Sequence, residues 1–371
     1  MLNIGFVIRD LEVSGAPWNY IYSLVTQLQD RDDLNVAVIY SKGDPSRLPD
    51  GITRIERPER LYPSPLLPDR PRMPRLRTVE REHEIDLFHL NELPDLGHWE
   101  VARCETPVVA TVHGTLQWER LPVATYPTGY RLRRRLFDRL GSRTIREVFS
   151  VSQYVKRVLV NCAGYSSNRV SVTYEAIEDD FFDMPDSPPD DVPEPYILHV
   201  SSQAPKKNVK TLLRAFKPLR ERRDIELVIA GRGWQSECEA LVADLGVAEA
   251  VHFEGYVPRN RLVQLYDGAV CFAFPSYHET FGLPNVEAMA RGTPVVTSSR
   301  HAIPEITDGG ALLINDPGNP EELRGMIERV LDDDDLREKI VKRGKERASE
   351  FKWDRHVKTV VERYAVVCDG A

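Results

Sequence analysis

The first half of the chain alternates strand-length apolar runs with longer amphipathic stretches. Residues 3–8 (NIGFVI), 35–40 (NVAVIY), 87–90 (LFHL), 108–112 (VVATV) and 148–151 (VFSV) are dominated by Val, Ile, Leu and Phe. Continuous apolar runs this short predict strands covered on both faces, as in a parallel sheet, since they are too short for buried helices. Residues 18–29 and 130–146 carry their apolar positions at helical spacing instead. Strand–helix–strand alternation predicts a parallel sheet layered with helices.

The pattern breaks between Asp183 and Pro195, where five prolines fall within 13 residues. Each proline removes a backbone donor and fixes φ, so neither a helix nor a central strand can pass, and 184–195 reads as a linker. A second series follows. Strands are predicted at 196–200, 225–230, 251–255, 270–274, 294–298 and 311–314, with helices at 209–222, 236–245, 260–267, 283–291 and 321–331, then two more at 335–350 and 355–367. The expected organisation is a doubly wound α/β domain over 1–183, a second over 196–353, and a closing segment over 354–371. Such sheets bind ligands beyond the carboxyl ends of their strands, so a cleft between two facing domains is the expected site.

Composition mainly excludes. With 371 residues, 42% apolar and 29% charged, the chain is neither collagenous, disulfide-scaffolded nor disordered. Five cysteines, an odd number without a C-x-x-C pair, predict free thiols in a reducing compartment and no zinc site. The N-terminus lacks a basic leader pattern and no apolar run approaches the ~18 residues of a membrane span, so the expected location is cytoplasmic.

A net charge of −8 argues against a nucleic-acid partner. Locally the sign reverses. Between Arg131 and Arg146 seven arginines face one acid, Asp138, and Leu132, Leu136 and Leu140 share a helical face. A basic amphipathic helix can lie on an anionic membrane, giving a peripheral contact at the inner face. A solvated helix packed by its leucines fits the same residues.

The candidate chemistry concentrates between Pro275 and Val296. The loop after strand 270–274 carries Glu279, then Phe281, Gly282 and Leu283; Pro284 suits the first turn of a helix that holds Glu287. Loop amides and a helix N-terminus at a strand's carboxyl end can hold an anion or hydroxyls. Two carboxylates at this spacing could accept hydroxyls on two rings of one ligand, although acids favour helix N-termini without any ligand. Four consecutive acids, 332–335, read as a solvated helix cap, and Asp30 and Asp32 follow a helix rather than a strand, so no metal is expected.

The stretch E-x7-E from Glu279 to Glu287, continuing as E-A-M-A-x-G-x-P-V-V to Val296, resembles the donor-site signature of retaining nucleotide-sugar glycosyltransferases of the GT-B fold, family 4 (group 1). Further matches are Ser14-Gly15-Ala16, Val112-His113-Gly114, Lys206-Lys207-Asn208, Ala230-Gly231-Arg232-Gly233, Gly255-Tyr256-Val257-Pro258 and Phe351-Lys352-Trp353. The resemblance implies two Rossmann-like domains facing across a cleft, the last helix crossing back to the first domain. It implies transfer of a hexosyl unit, with retention, from a nucleoside diphosphate sugar (GDP-mannose by overall likeness) to a hydroxyl of a glycan or lipid-linked acceptor, with no cofactor and no obligatory metal.

It also implies roles. Glu279 faces the donor sugar, with backbone amides of Phe281, Gly282 and Leu283 around its hydroxyls or phosphate. Glu287 accepts from the ribose. Lys207 meets the diphosphate charge, Tyr256 and Val257 lie near the base, and Gly15 admits the phosphates closely. His113 positions and polarises beside the sugar and acceptor. In two places the chain departs from the pattern. Ser202 stands where an arginine is usual, leaving Lys206 or Arg232 to supply the second cation, or one cation and Ser202 to hold the diphosphate, and Glu175-Ala176 replaces an Asn-Gly pair. A sugar-nucleotide epimerase or phosphorylase, or a non-catalytic nucleotide-sugar or carbohydrate-binding protein, is the alternative.

Overall fold

In a computed structural model of the chain, residues 1–12, 16–57, 76–93, 101–116, 118–119, 142–183 and 188–370 are described. They fall into two units, Met1–Glu175 with Trp353–Ala371, and Ala176–Lys352. Each contains one sheet in which every strand pairing is parallel.

The sheet of the first unit contains β1 (Leu2–Asp10), β2 (Leu34–Lys42), β3 (Thr53–Glu56), β4 (Leu87–Leu90), β5 (Val108–Val112), β6 (Glu147–Ser150) and β7 (Val170–Val172) in the order β3-β2-β1-β4-β5-β6-β7. All four residues of β4 and all five of β5 are buried, as continuous apolar runs require when helices cover both faces. Five strands match the apolar runs. The two edge strands do not, because β3 (TRIE) buries Ile55 alone and β7 (VSV) has three residues. An edge strand with one paired side needs little apolar surface, so its sequence signal is weak.

The second unit contains β8 (Tyr196–Val200), β9 (Glu226–Ala230), β10 (Val251–Gly255), β11 (Ala269–Phe274), β12 (Val295–Ser298) and β13 (Leu312–Ile314) in the order β10-β9-β8-β11-β12-β13. Its core joins Ile197, Leu227 and Ile229 of the sheet to Leu212, Leu213 and Phe216 of the helix Val209–Arg220 and to Leu323 and Ile327 of the helix Pro320–Asp332. Burying each such side chain contributes about 1.5–3 kcal/mol before conformational entropy is charged against it. Strand order reverses between β1 and β4 in the first sheet and between β8 and β11 in the second, which makes these the two switch points.

The helix Trp353–Asp369 belongs to the first unit. His356, Val360, Tyr364 and Val367 form its buried stripe. Arg363 donates twice to the carboxylate of Glu147, at 2.7 Å each, and Tyr364 Oη lies 2.5 Å from Nδ1 of the buried His89 on β4. The first unit stops at Glu175, short of the expected boundary at 183, because the following residues pack elsewhere. Ile177 bridges Lys352, and Phe181 meets the ring of Tyr266 edge-on at 6.1 Å. Residues 188–195 of the expected linker lack helix or strand; Asp191 pairs with Arg261 at 2.6 Å and Val192 is buried. Most of the expected helix 130–146 and Gly15 lie outside the described residues, while 142–146 form a turn and lead into β6 rather than continuing a helix. Among the described residues no helix is long and apolar enough to cross a membrane.

Candidate functional site

In the second unit the sequence-predicted residues gather beyond the carboxyl ends of β8 and β11, at the switch point. After β8 the chain enters Pro205–Lys207, a single tight turn, and Asn208 adopts the left-handed conformation at φ 60°. Asn208 Nδ2 donates to the Pro275 carbonyl at 3.0 Å and to the Pro317 carbonyl at 2.5 Å, while its Oδ1 accepts from Thr211. The Lys206 carbonyl accepts from the Tyr277 amide at 2.7 Å and from Ser276 Oγ at 3.0 Å. These bonds clamp the loop after β8 onto the loop after β11.

The clamp brings Lys207 Nζ within 2.8 Å of Glu279 Oε1, and Ser276 Oγ donates to the same oxygen at 2.6 Å. Glu279 is 6% exposed. Burial alone would raise its carboxyl pKa, but the charges of Lys207 and Lys206 outweigh it and hold the group down at about 2. Glu279 is thus a carboxylate at any physiological pH. Burial lowers the Lys206 ammonium pKa, against the pull of Glu279, so both lysines belong to one electrostatic cluster. Sequence reasoning missed Ser276; a serine three residues before a glutamate carries no distinctive signal.

Glu287 sits differently. On the helix Leu283–Arg291 it accepts from Tyr266 Oη at 2.9 Å, and burial pushes its carboxyl up to about 7. Gly282 caps that helix at φ 96°, where a Cβ would lie 2.9 Å from Asn285 Nδ2. Phe281 turns its ring into the core against Phe351, leaving only its backbone toward the loop, and Leu283 is half-buried.

The ends of β8, β9 and β10 are stitched together beside this cluster. Ser201 N donates to Ala230 O, Gln203 N to Arg232 O, and Gly231 N to Gly255 O at 2.6 Å. A Cβ on Gly231 would fall 1.8 Å from the Ser201 carbonyl oxygen, so only glycine admits this approach. The Ser201 carbonyl accepts from Trp234 Nε1 at 2.7 Å. His199 donates from Nδ1 to the Ala273 carbonyl, which leaves Nε2 to accept from Ser201 Oγ. Ser202 is exposed on this loop. Arg232 stacks over the ring of Tyr256 at 4.7 Å, and Tyr256 is 71% exposed. A cavity of about 540 Å³ adjoins them, lined by Gly231, Gly233, Gln235, Glu239, Phe253 and Glu254 among others. Val257, half-buried, follows Tyr256.

In the first unit His113 directly follows β5, Asn91 follows β4 and Glu175 lies beyond β7. His113 Nδ1 is 2.7 Å from Glu175 Oε1, and Nε2 is 3.2 Å from Asn91 Oδ1. The ring of Tyr20 packs edge-on against that of His113 at 4.6 Å. Asn91 and Tyr20 were not legible as site residues, and Glu175 was visible only as a departure from a family pattern.

Two family profiles match consecutive stretches of the chain: Glycosyltransferase Family 4 over residues 18–181 and Glycosyl transferases group 1 over 180–347. The O-antigen chain mannosyltransferase B of Escherichia coli is 30% identical over 233 residues, which are 59% of this chain and 60% of that relative. The MMP alpha-(1->4)-mannosyltransferase of Mycolicibacterium hassiacum is 29% identical over 289 residues, 74% of this chain and 68% of the relative. Among solved structures, sucrose-phosphate synthase from Thermosynechococcus elongatus superposes over 100% of both chains with a TM-score of 0.79 at 20% identity. Anabaena HepE in complex with UDP and glucose superposes over 98% of this chain and 100% of its own, with a TM-score of 0.75 at 19% identity.

Proposed function

Since the chain belongs to the family 4, group 1 glycosyltransferases with the GT-B fold, we propose that it transfers a hexosyl unit from a nucleoside diphosphate sugar to a hydroxyl of a glycan or lipid-linked acceptor, with retention. The observation that carries this reading is the cluster of Lys206, Lys207, Ser276 and Glu279 at the switch point of the second sheet. A diphosphate leaving group gains negative charge as its bond to the sugar breaks, and fixed cations stabilise that charge where it develops. Lys207, oriented by Glu279, and Lys206 beside it supply two ammonium groups, which answers the loss of an arginine at Ser202 and leaves no step needing a metal.

Glu279 remains anionic and accepts sugar hydroxyls through the oxygen not shared by Lys207 and Ser276. Glu287, released from Tyr266, accepts from the ribose. The cavity beside Gly231 and the Arg232–Tyr256 stack receive the base, which can lie against an exposed aromatic ring. In the first unit His113 holds the acceptor hydroxyl or a sugar hydroxyl, and the departing phosphate takes the acceptor's proton. Mannose carried on GDP is the donor this reading favours, because both curated relatives above are named as mannosyltransferases.

Calorimetry against GDP-mannose, UDP-glucose and other nucleotide sugars tests the reading. One donor should bind saturably, and both Glu287→Ala and Lys207→Ala should abolish that binding. Binding of a donor without turnover against any hydroxyl acceptor would make the protein a non-catalytic binder; no binding at all would overturn the proposal.

A further inference from the structure

The first unit holds three histidines close together, and their surroundings differ. His89 lies between Tyr364 and Thr111, and burial holds its imidazole neutral, with a pKa near 3. His356 donates from Nδ1 to the Tyr174 carbonyl at 2.6 Å, leaving Nε2 to accept from Tyr20 Oη at 2.9 Å; burial brings its pKa to about 4. Both rings have their two nitrogens committed inside the fold. His113 alone of the three faces a carboxylate, that of Glu175, and its ring borders the carboxyl end of the sheet.

The geometry of that contact is specific. Glu175 is 8% exposed, and a buried carboxylate needs a donor or a cation. At 2.7 Å from Nδ1 it can only accept, so the Nδ1 nitrogen must carry a hydrogen. Free imidazole prefers its hydrogen on the other nitrogen and rotates about χ2, but here one acceptor determines both tautomer and orientation. Tyr20, itself held by His356 of the C-terminal helix, closes the flank of the ring. In this tautomer Nε2 can only accept, so its 3.2 Å contact with Asn91 is a hydrogen bond when the Asn91 amide turns its NH2 toward the ring; as the longer contact it is the easier to exchange for a substrate hydroxyl.

We propose that Glu175 is the positioning residue of His113, holding its Nδ1 hydrogen so that Nε2 is presented to a substrate hydroxyl. The proposal rests on the glycosyltransferase reading for its catalytic use, though not for the pairing itself. Glu175 stands where the resembled family pattern carries an asparagine, so the acceptor here is a longer and charged one.

Nitrogen-15 spectra of histidine-labelled protein test the pairing without any substrate. His113, assigned by its loss in His113→Ala, should show a protonated Nδ1 in the wild type and in Glu175→Gln, whose amide oxygen still accepts. Glu175→Ala should move the hydrogen to Nε2 or mix the two forms. With donor and acceptor supplied, Glu175→Ala should lower kcat at least about tenfold while donor KM stays within about twofold, and Glu175→Gln should restore most of the rate. An Nδ1 without hydrogen, or a tautomer unchanged in Glu175→Ala, overturns the pairing. A kcat that falls in His113→Ala but not in Glu175→Ala overturns the positioning role. Wild-type protein inactive with every donor defeats the activity reading and the catalytic use together, and the spectra still decide whether Glu175 holds the ring.

Discussion

Lys207 and Glu279 are separated by 72 positions in the chain and by 2.8 Å in space. The pair forms because β8 and β11 are neighbours in a parallel sheet, so the loops leaving them emerge side by side. With side chains 15% and 8% exposed, the two groups are screened far less than surface charges.

Removing the cation should therefore destabilise the protein. Lys207→Met takes one of the hydrogen-bond donors of buried Glu279 and leaves Ser276 and the charge of Lys206, at an expected cost of about 1–3 kcal/mol in urea unfolding at pH 7. The pH dependence gives an independent check. Glu279 is depressed from 4.5 to about 2, so its contribution is complete above about pH 4.5 and disappears as pH falls toward 2. Lys207→Met should narrow that acid limb, and an unchanged limb would show that the pair contributes nothing.

Glu287 should behave in the opposite sense. Its carboxyl is raised from 4.5 to about 7, so the folded state holds a proton that the unfolded chain has released, and stability from this group declines as pH rises from 4.5 through 7. Glu287→Gln should remove that decline and stabilise the protein at pH 8 by about 1–3 kcal/mol. The same variant should weaken donor binding, since an amide accepts fewer ribose hydroxyls than a carboxylate. Thermal melts at pH 5 and pH 8 separate the two effects.

Two glycines make a matched contrast. Gly231→Ala puts a Cβ 1.8 Å from the Ser201 oxygen and should prevent soluble folding or cost more than about 4 kcal/mol. Gly325, inside the helix Pro320–Asp332, has nothing within 4 Å of where a Cβ would lie, and Gly325→Ala should stabilise by about 0.5–1 kcal/mol. Equal melting temperatures for the two variants would contradict the close approach of β8 and β9.

The closing helix should depend on two buried contacts. Tyr364→Phe deletes the hydroxyl that meets His89 Nδ1 and leaves a polar nitrogen unpaired in the core, at about 1–3 kcal/mol. Arg363→Ala takes the twice-bonded cation from the carboxylate of Glu147, which is 5% exposed, and should cost at least as much. Denaturant midpoints of the two variants check both; a midpoint unchanged in Arg363→Ala would show that the pair contributes nothing.

By itself the sequence determined the two α/β halves, all six strands of the second sheet and the E-x7-E stretch, because each rests on local pattern: a short run of Val, Ile or Phe, or a motif contained in one loop and one helix. It left β3 and β7 unread, since edge strands bury too little to mark themselves. Tertiary structure alone decided that Lys206 lies with Lys207 beside Glu279, that Ser276 shares the same carboxylate oxygen, and that Glu175 faces His113. It also sent residues 176–183 to the second unit. The physical reason is common to these cases. A parallel sheet collects the carboxyl ends of strands far apart in the chain, and which side chains meet there depends on strand order and register, which no local window of residues contains.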